Sequence, residues 1–185
     1  MSSGTYSLND DLERVLYSRE AIAERVTGLG QKIEQEYRGR NPLVLGVLKG
    51  CFPFLADLVR SMDVLMEVEF ITLSSYGDET QSSGTVRTVT GLSREVQNRD
   101  VIVVEDIVDT GRTLSHLVKM LKDQRAASVR IATLLDKAAN RVADVEVAYS
   151  CFDCPDAFVV GYGLDYAGRY RNLPLIGVLK PEIYG

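Results

Sequence analysis

The stretch from residue 101 to residue 113 reads Val-Ile-Val-Val-Glu-Asp-Ile-Val-Asp-Thr-Gly-Arg-Thr, and it decides the fold. It opens with an apolar run that is typical of a strand buried in a parallel sheet. Three carboxylates follow, on Glu105, Asp106 and Asp109, and a polar turn comes next. Beyond the turn, apolar residues recur with helical spacing at Leu114, Leu117, Val118 and Leu121. The stretch therefore predicts a buried strand, a short turn and an amphipathic helix.

A strand, a short polar turn and a helix start together make a site for an anion. The backbone N–H groups of such a turn and the positive end of the helix dipole point at a bound phosphate. The hydroxyls of Thr110 and Thr113 add further donors. Acidic residues just before the turn would repel a bare phosphate, but they suit a ligand that also carries hydroxyls and a metal ion. A ribose phosphate fits that description.

The same stretch resembles the ribose-phosphate-binding fingerprint of type I phosphoribosyltransferases. In its detailed form, from Glu105 to Thr113, it is similar to that of the hypoxanthine-guanine phosphoribosyltransferases. The P-loop motif G-x-x-x-x-G-K-[ST] does not occur in the sequence, which argues against a P-loop nucleotidase. A plain strand, turn and helix with solvated carboxylates is the alternative interpretation of the stretch.

The resemblance implies a role for each polar residue of the fingerprint. Glu105 and Asp106 would hold the 2′- and 3′-hydroxyls of 5-phosphoribosyl 1-pyrophosphate (PRPP), directly or through Mg²⁺. Asp109 would exchange a proton with the purine N7 as a general base or acid. Arg112 stands where some family members carry lysine, and this change should leave phosphate binding intact. The 5′-phosphate would be bound by Asp109, Thr110, Gly111, Arg112 and Thr113.

Other segments that match the family lie outside the fingerprint. Leu48-Lys49-Gly50 matches the loop that contacts pyrophosphate, where the Leu-Lys peptide bond is often cis; a simple strand-end turn is the other interpretation. Arg171 matches an arginine that binds pyrophosphate, and Asp165 matches an aspartate that helps to hold a metal ion. Ser75-Tyr76 matches the start of a mobile lid, expected over about residues 75–91, that excludes water.

The family resemblance also implies a base site. Lys137 matches the lysine that bonds the 6-oxo group of the purine, although a lone lysine after a strand is often a solvated surface charge. Phe158 would stack on the purine, and the backbone of Val159 would read its edge. A core position is the alternative for Phe158. Asp165 is assigned to the same subsite, and Ala157 stands where some members carry lysine, so one charged contact near the base is absent.

Together these matches imply a purine salvage enzyme that transfers the 5-phosphoribosyl group from PRPP to hypoxanthine or guanine. The products would be IMP or GMP and pyrophosphate, the cofactor Mg²⁺, and the assembly a homo-oligomer (dimer or tetramer). A xanthine- or pyrimidine-directed transferase is one alternative; Lys137 with Phe158 and Val159 favours a 6-oxopurine but leaves xanthine open. A nucleic-acid-binding PRPP sensor is another, and it would require a basic face or an added DNA-binding segment.

Bulk properties narrow the class of protein further. The 185 residues are 45% hydrophobic, which suits a single domain over residues 1–185 with a substantial core. The net charge is −5 at pH 7, so broad electrostatic binding to nucleic acid is disfavoured. No apolar run approaches the ~20 residues of a membrane span, and residues 1–11 do not read as a secretory signal. We expect a cytoplasmic protein with no membrane or nucleic-acid partner.

The three cysteines, Cys51, Cys151 and Cys154, make no disulfide framework in a chain without an export signal. The last two have C-x-x-C spacing, but a zinc site would require a second pair. A thioredoxin-type pair would begin a helix, whereas Pro155 follows this pair directly. We interpret these cysteines as incidental, and His116 as a surface residue of the helix after the fingerprint.

The remaining chain alternates between strand and helix patterns. Ser18 is a good N-cap for a helix that runs to about Tyr37, and Pro53 opens a second helix. Further strands are predicted at 43–48, 65–73, 129–135, 145–149, 158–162 and 176–179. This alternation predicts an α/β fold with a doubly wound, mostly parallel sheet and helices on both faces. The resemblance adds a small hood for the base, built from the N-terminus and about residues 158–180.

Overall fold

The computed structural model describes residues 7–75, 86–90, 92 and 94–185, which form two β-sheets and the helices around them. The strands are β1 (Leu12–Tyr17), β2 (Leu43–Leu48), β3 (Glu67–Ser75), β4 (Val86–Thr90), β5 (Asp100–Val108), β6 (Ser128–Asp136), β7 (Tyr149–Asp153), β8 (Val159–Val160) and β9 (Ile176–Leu179). The α-helices are α1 (Arg19–Tyr37), α2 (Phe52–Arg60), α3 (Arg112–Asp123) and α4 (Pro181–Tyr184). Short 3₁₀ helices span Leu8–Asp11 and Ala138–Asn140.

The larger sheet has the strand order β4-β3-β2-β5-β6-β7. Five of its strands run parallel, and β4 pairs antiparallel with β3 at one edge. Val44 and Ile102 pack toward α1 and α2, whereas their neighbours Leu45 and Val103 pack toward α3. Because helices cover both faces, the central strands are apolar throughout instead of alternating. The predicted doubly wound α/β fold is confirmed.

The ends of the central strands lie next to one another. In the β2–β5 pairing Gly46 is opposite Val104, and in the β5–β6 pairing Val108 is opposite Asp136. The loops that leave the carboxyl ends of β2, β5 and β6 therefore emerge side by side. This edge is where parallel α/β sheets place their ligand sites.

Local sequence explains the helix boundaries. Ser18 Oγ accepts a hydrogen bond from the N–H of Ala21 at 3.2 Å, which caps α1 as predicted, and the helix ends at Tyr37. A proline near the start of α2 suits the first turn of a helix. A Cβ on Gly46 would lie 2.8 Å from Leu55 Cδ2, so the glycine allows α2 to pack closely on β2. No helix in the described ranges is long and apolar enough to cross a membrane.

The smaller sheet is antiparallel, with the order β1-β9-β8. It joins the N-terminal strand to the strands near the C-terminus, so the two segments predicted for the hood pair with each other. Its own apolar cluster consists of Leu12, Val160, Tyr170, Leu173 and Leu179. In the described part of the chain, β8 has no strand on its outer side.

Two strand predictions require correction. Residues 145–149 do not form a strand; β7 begins only at Tyr149, while Val145 and Val147 pack from a loop onto the α3 side of the sheet. The alternating valines therefore reflect a loop with one buried side. The strand predicted over 158–162 is limited to two residues, because Gly161 (φ 102°) and Tyr162 (φ 47°) turn the chain.

Candidate active site

The fingerprint forms the predicted strand, turn and helix. Strand β5 ends at Val108, and α3 starts at Arg112 after the left-handed Gly111 (φ 78°), a conformation that favours glycine. The first N–H groups of α3 have no partner within the helix and are available to an anion. A cavity of about 220 Å³ opens here, lined by Glu105, Ile107, Val108, Asp109, Thr110, Gly111, Arg112, Thr113 and Leu114. The geometry suits a phosphate-sized group.

Glu105 and Asp106 form a partly buried pair of carboxylates at the end of β5. Burial and the neighbouring Asp106 charge raise the pKa of Glu105 well above its usual value. Burial also raises the pKa of Asp106, although its hydrogen bond with Glu105 opposes this shift. The N–H groups of Asp106 and Ile107 donate to these carboxylates, at 3.3 and 2.9 Å. Two adjacent, partly buried carboxylates repel each other, so hydroxyl donors or a cation bound between them would stabilise their charged forms.

Two glycines bring three loops into contact around Asp106. A Cβ on Gly50 would lie 1.6 Å from Asp106 Oδ2, and a Cβ on Gly163 would lie 2.0 Å from the Gly50 carbonyl oxygen. The second glycine also has a left-handed φ of 103°. The loop after β2, which contains a cis peptide bond between Leu48 and Lys49, therefore packs on the fingerprint. Lys49 itself is exposed beside it.

Asp165 and Arg171 form an ion pair in the segment after β8. Arg171 Nη2 lies 2.7 Å from Asp165 Oδ1, and Nη1 donates to the carbonyl of Gly163 at 2.6 Å. The other carboxylate oxygen of Asp165 accepts from the N–H of Gly168 at 2.7 Å. The positive charge of Arg171 also acts to lower the pKa of Asp106, against the larger effect of burial.

The carboxylates at the end of β5 have the oxygen donors that Mg²⁺ prefers. Within the residues that the structure describes, no group of three or more His, Cys, Asp and Glu could hold a metal ion by itself. Mg²⁺ in phosphate-handling sites commonly uses one or two carboxylates and takes its remaining ligands from water and substrate. The oxygens of Glu105 and Asp106 fit that arrangement, whereas Asp165 is engaged in its ion pair with Arg171.

Lys137 follows β6 and is held in place. Its ammonium lies 2.8 Å from Asp156 Oδ1, and only 11% of its side chain is exposed. The hydrogen bond with Asp156 raises the pKa of Lys137, so the lysine stays charged at neutral pH. The N–H of Lys137 donates to the carbonyl of Val108 at 2.9 Å, which ties it to the fingerprint strand. The interpretation as a freely solvated surface charge is wrong.

Phe158 lies in an exposed group of aromatic rings and not in the core. Its side chain is 38% exposed, it stacks on Tyr184 at 4.8 Å between ring centroids, and it meets Tyr166 edge-on at 5.6 Å. Val159 sits on the edge strand β8. Because the carbonyl of Phe158 accepts from Leu179 in β9, the alternation of an antiparallel ladder turns the polar groups of Val159 outward.

Three contributors to this region were missed from the sequence. Asp156 pairs with Lys137, Tyr184 covers a face of Phe158, and Arg141 donates to the carbonyl of Asp109. The only local sign of Asp156 is its position directly after Pro155 and shortly before Phe158. Sequence offers no comparable sign for the other two.

The predicted lid falls largely outside the described residues. Ser75 is the last residue of β3, and Tyr76 lies beyond the described ranges. Within this range the structure describes β4, which pairs antiparallel with β3. A lid over about residues 75–91 remains a prediction.

Two of the cysteines lie near the pocket: Cys51 directly follows Gly50, and the charges of Lys137 and Asp109 act on the thiol of Cys154. All three thiols are free and buried, and burial raises the pKa of Cys151 to about 12. Burial also raises the pKa of Cys154. Such thiols are poor nucleophiles at neutral pH, because the thiolate is the reactive form. His116 is exposed on α3, as predicted.

Similarity to known proteins extends over nearly the whole chain. The family model described as "Phosphoribosyl transferase domain" matches residues 15–167. A hypoxanthine-guanine phosphoribosyltransferase from Bacillus subtilis is 50% identical over 177 residues, covering 96% of this chain and 98% of the relative. A "Bifunctional protein TilS/HprT" from Listeria monocytogenes is 52% identical over 181 residues. That match covers 98% of this chain, which spans only 28% of the Listeria protein.

Solved structures agree with the family match. A hypoxanthine phosphoribosyltransferase from Staphylococcus aureus aligns with a TM-score of 0.94 and 40% identity, covering 98% of this chain and 100% of that one. A mutant hypoxanthine phosphoribosyltransferase from Trypanosoma cruzi, in a ternary complex with substrates, aligns with a TM-score of 0.89 and 40% identity, covering 95% of this chain and 100% of that one. The chain belongs to the phosphoribosyltransferase family and, within it, to the hypoxanthine-guanine phosphoribosyltransferases.

Proposed function

We propose that this chain transfers the 5-phosphoribosyl group from PRPP to hypoxanthine or guanine, forming IMP or GMP and releasing pyrophosphate. One observation carries the proposal: an anion-binding turn, a carboxylate pair and a buried lysine lie at the adjoining ends of β5 and β6. The names of the relatives support the same reaction. Bond breaking at the anomeric carbon passes through an oxocarbenium-like state, so the protein mainly orients the reactants and stabilises the leaving group.

The 5′-phosphate is assigned to the turn that runs from Asp109 to Thr113. Its supporting features are the cavity of about 220 Å³, the unpaired amides at the start of α3 and the left-handed Gly111. Arg112 is exposed beside the cavity and supplies positive charge. The arrangement anchors one end of PRPP and fixes the position of its ribose.

The ribose hydroxyls and Mg²⁺ are assigned to Glu105 and Asp106, with Asp165 as a further metal contact. The raised pKa values of the first two carboxyls indicate a pair that gains most from a cation or hydroxyl donors. When bound, Mg²⁺ would neutralise the pyrophosphate and hold it in a fixed geometry.

Pyrophosphate is assigned to Lys49, Gly50 and Arg171. The guanidinium fork of Arg171 is anchored by Asp165 and Gly163, which leaves it little freedom to lose on binding. Gly50 has no side chain that could cover its N–H group. A residue with a Cβ would not fit at this position, because the Asp106 carboxylate occupies that space. Positive charge here stabilises the leaving group as its bond breaks.

Asp109 is assigned to proton exchange with the purine N7. Its side chain is exposed at the mouth of the cavity, immediately before the phosphate turn. A base carboxylate adjacent to the bound ribose phosphate is well placed to take the proton that the purine loses as its new bond forms.

The purine is assigned to Lys137, Phe158, Val159 and Asp165. The charged Lys137 would donate to the 6-oxo group, and Phe158 would stack on the purine ring. The outward-facing backbone N–H and C=O of Val159 would hydrogen-bond to the polar edge of the purine. Xanthine carries the same 6-oxo acceptor and belongs in any test. We further propose one domain over residues 1–185, with β1, β8 and β9 forming the hood.

The protein is proposed to be cytoplasmic and homo-oligomeric, as a dimer or tetramer, without nucleic-acid or membrane partners. Free cysteines suit a reducing compartment. Several large apolar side chains are exposed, as a subunit contact would require: Val68 and Phe70 on β3, Leu65 just before it, and Phe52 at the start of α2. Light scattering coupled to size-exclusion chromatography measures the assembly directly.

The reaction is tested with purified protein, PRPP, Mg²⁺ and hypoxanthine, following IMP and pyrophosphate in parallel. We expect one pyrophosphate for each IMP and loss of turnover when EDTA removes the metal. Pyrophosphate release without IMP would indicate PRPP hydrolysis and contradict the transferase assignment. Full turnover in EDTA would remove the metal role given to Glu105 and Asp106.

A further inference from the structure

We propose that Arg141 is a positioning residue that holds the phosphate turn in its anion-binding conformation before any substrate arrives. It follows the 3₁₀ helix Ala138–Asn140, and its side chain is 16% exposed. The identity of the anion rests on the proposed function, but the claim about the turn's conformation does not.

The guanidinium of Arg141 bonds backbone carbonyls on two sides. Nε donates to the carbonyl of Asp109 at 3.0 Å, and Nη2 donates to that of Val108 at 3.4 Å. On the opposite side, Nη1 donates to the carbonyl of Val145 at 3.1 Å. Only a planar group with several fixed donors can make this set of bonds.

The charge of Arg141 is already balanced inside the protein. Asp136, the last residue of β6, accepts an ion-paired hydrogen bond from Nη2, and both side chains are less than one-fifth exposed. Asp136 also pairs with Val108 in the sheet, so the ion pair sits behind the end of the fingerprint strand. An arginine neutralised in this way does not serve as the counter-charge of a phosphate; its contribution is to hold the backbone.

The backbone next to Arg141 completes the attachment. The N–H groups of Val142 and Ala143 both donate to the carbonyl of Thr110, at 3.1 Å each. A Cβ on Gly111 would lie 2.8 Å from Arg141 Cδ, so the glycine lets the arginine pack against the turn. Three successive carbonyls, those of residues 108, 109 and 110, therefore point toward the segment that starts at Arg141.

This arrangement determines where the amides of the turn point. In a planar trans peptide the N–H is opposite the C=O. When the carbonyls of residues 108, 109 and 110 point back toward Arg141, the N–H groups of residues 109, 110 and 111 point the other way. Successive amides directed to one side form the concave donor set that binds anions. Arg141 thus prepares the turn without reaching the ligand.

The first test compares Arg141→Ala and Arg141→Lys with wild type in steady-state assays that vary PRPP. We expect the KM for PRPP to rise by ~10–100-fold in both variants, because charge-assisted hydrogen bonds to the carbonyls of the turn are lost, and kcat to change less. Lysine should not rescue, since one ammonium cannot replace the fork. Arg130→Ala is the matched control: Arg130 lies on β6 in an exposed ion pair with Glu146, and its loss should leave KM within about twofold.

The second test needs no substrate. Hydrogen exchange in the ligand-free protein should show faster exchange over residues 108–115 in Arg141→Lys than in wild type, with the peptides of α1 unchanged. If exchange is faster in Arg141→Lys but the wild-type protein has no transferase activity, the positioning role of Arg141 stands and the proposed function is refuted. Unchanged exchange and an unchanged KM for PRPP in both variants would overturn the role of Arg141, as would full rescue by lysine.

Discussion

The carboxylate of Asp106 occupies the space that a side chain on Gly50 would need: a Cβ there would lie 1.6 Å from Oδ2. These residues are far apart in sequence and come from the loops after β2 and the end of β5. Their contact joins the segment assigned to pyrophosphate to the segment assigned to the ribose. The pocket therefore depends on a glycine that no local turn requirement explains, since Gly50 is absent from the residues with positive φ.

Gly50→Ala should abolish most of the activity while leaving the protein folded. The added methyl must displace either the Asp106 carboxylate or the loop, and misplacement by about 1 Å can cost ~10²-fold in rate. Gly28→Ala is the matched control, because that helical glycine is exposed and nothing lies within 4 Å of its Cβ position. The control should be neutral or stabilised by about 0.5–1 kcal/mol. Equal activity of the two variants would contradict the close packing at Asp106.

Glu105→Gln should stabilise the metal-free protein at neutral pH while impairing catalysis. Raised pKa values mean that Glu105 and Asp106 bind protons more tightly in the folded state than in the unfolded one. Their contribution to stability is therefore present below the ordinary Glu pKa of 4.5 and is lost as pH rises through the raised pKa. The amide of Glu105→Gln removes one titrating group from the pair, so the loss of stability with rising pH should be smaller than in wild type.

Thermal melts of metal-free protein across pH 4 to 8, a range of about four units spanning the ordinary carboxyl pKa, measure this effect. Glu146→Gln is the isosteric control, since the side chain of Glu146 is 85% exposed. A Glu105→Gln melting temperature at or below that of wild type at neutral pH would show that the carboxylate pair is not unfavourable in the free protein.

Asp109→Asn should lower kcat by ~10²–10⁴-fold and leave PRPP affinity nearly unchanged, because the amide keeps the shape but cannot take up the N7 proton. Single-turnover rates and calorimetric binding of PRPP with Mg²⁺ separate the two effects. Asp123→Asn, at the exposed end of α3, is the control. Weakened PRPP binding with unchanged single-turnover chemistry would assign Asp109 to substrate binding instead.

Lys137→Ala should reduce kcat/KM for hypoxanthine and guanine more than it weakens PRPP binding. The difference in kcat/KM between these 6-oxopurines and adenine should become smaller. The lysine is held charged by Asp156, so it donates well to a 6-oxo oxygen and poorly tolerates the amino group of adenine. Lys119→Ala removes an exposed lysine that also pairs with an aspartate, and it should change nothing. Base selectivity that is the same in Lys137→Ala and wild type would show that the residue does not read the base.

The fold and the phosphate turn were predictable because their signals are local. The apolar run, the acidic residues and the helical leucines of residues 101–121 are contiguous and agree with one another. Lys137 and Phe158 were recognised only through family resemblance, since a lone lysine after a strand or a lone phenylalanine at the start of one has no distinctive local pattern. The valines before Tyr149 misled because a loop with one buried side alternates as a strand does.

The residues that were missed act through contacts made by the tertiary fold. Arg141 bonds the carbonyl of Asp109 across 32 positions of sequence, and it targets backbone atoms, which carry no residue identity. Tyr184 reaches Phe158 only because α4 follows β9 on the small sheet. Such pairings depend on how loops cross above the sheet, which hydrophobic periodicity does not specify.

The most direct test measures kcat/KM of the wild-type protein for hypoxanthine, guanine, xanthine and adenine with saturating PRPP and Mg²⁺. The account predicts efficient formation of IMP and GMP, and adenine disfavoured by ~10⁴-fold, because adenine presents an amino donor to the charged Lys137 where a 6-oxopurine presents an acceptor oxygen. Use of adenine as readily as guanine, or the absence of nucleotide from both 6-oxopurines, would contradict it.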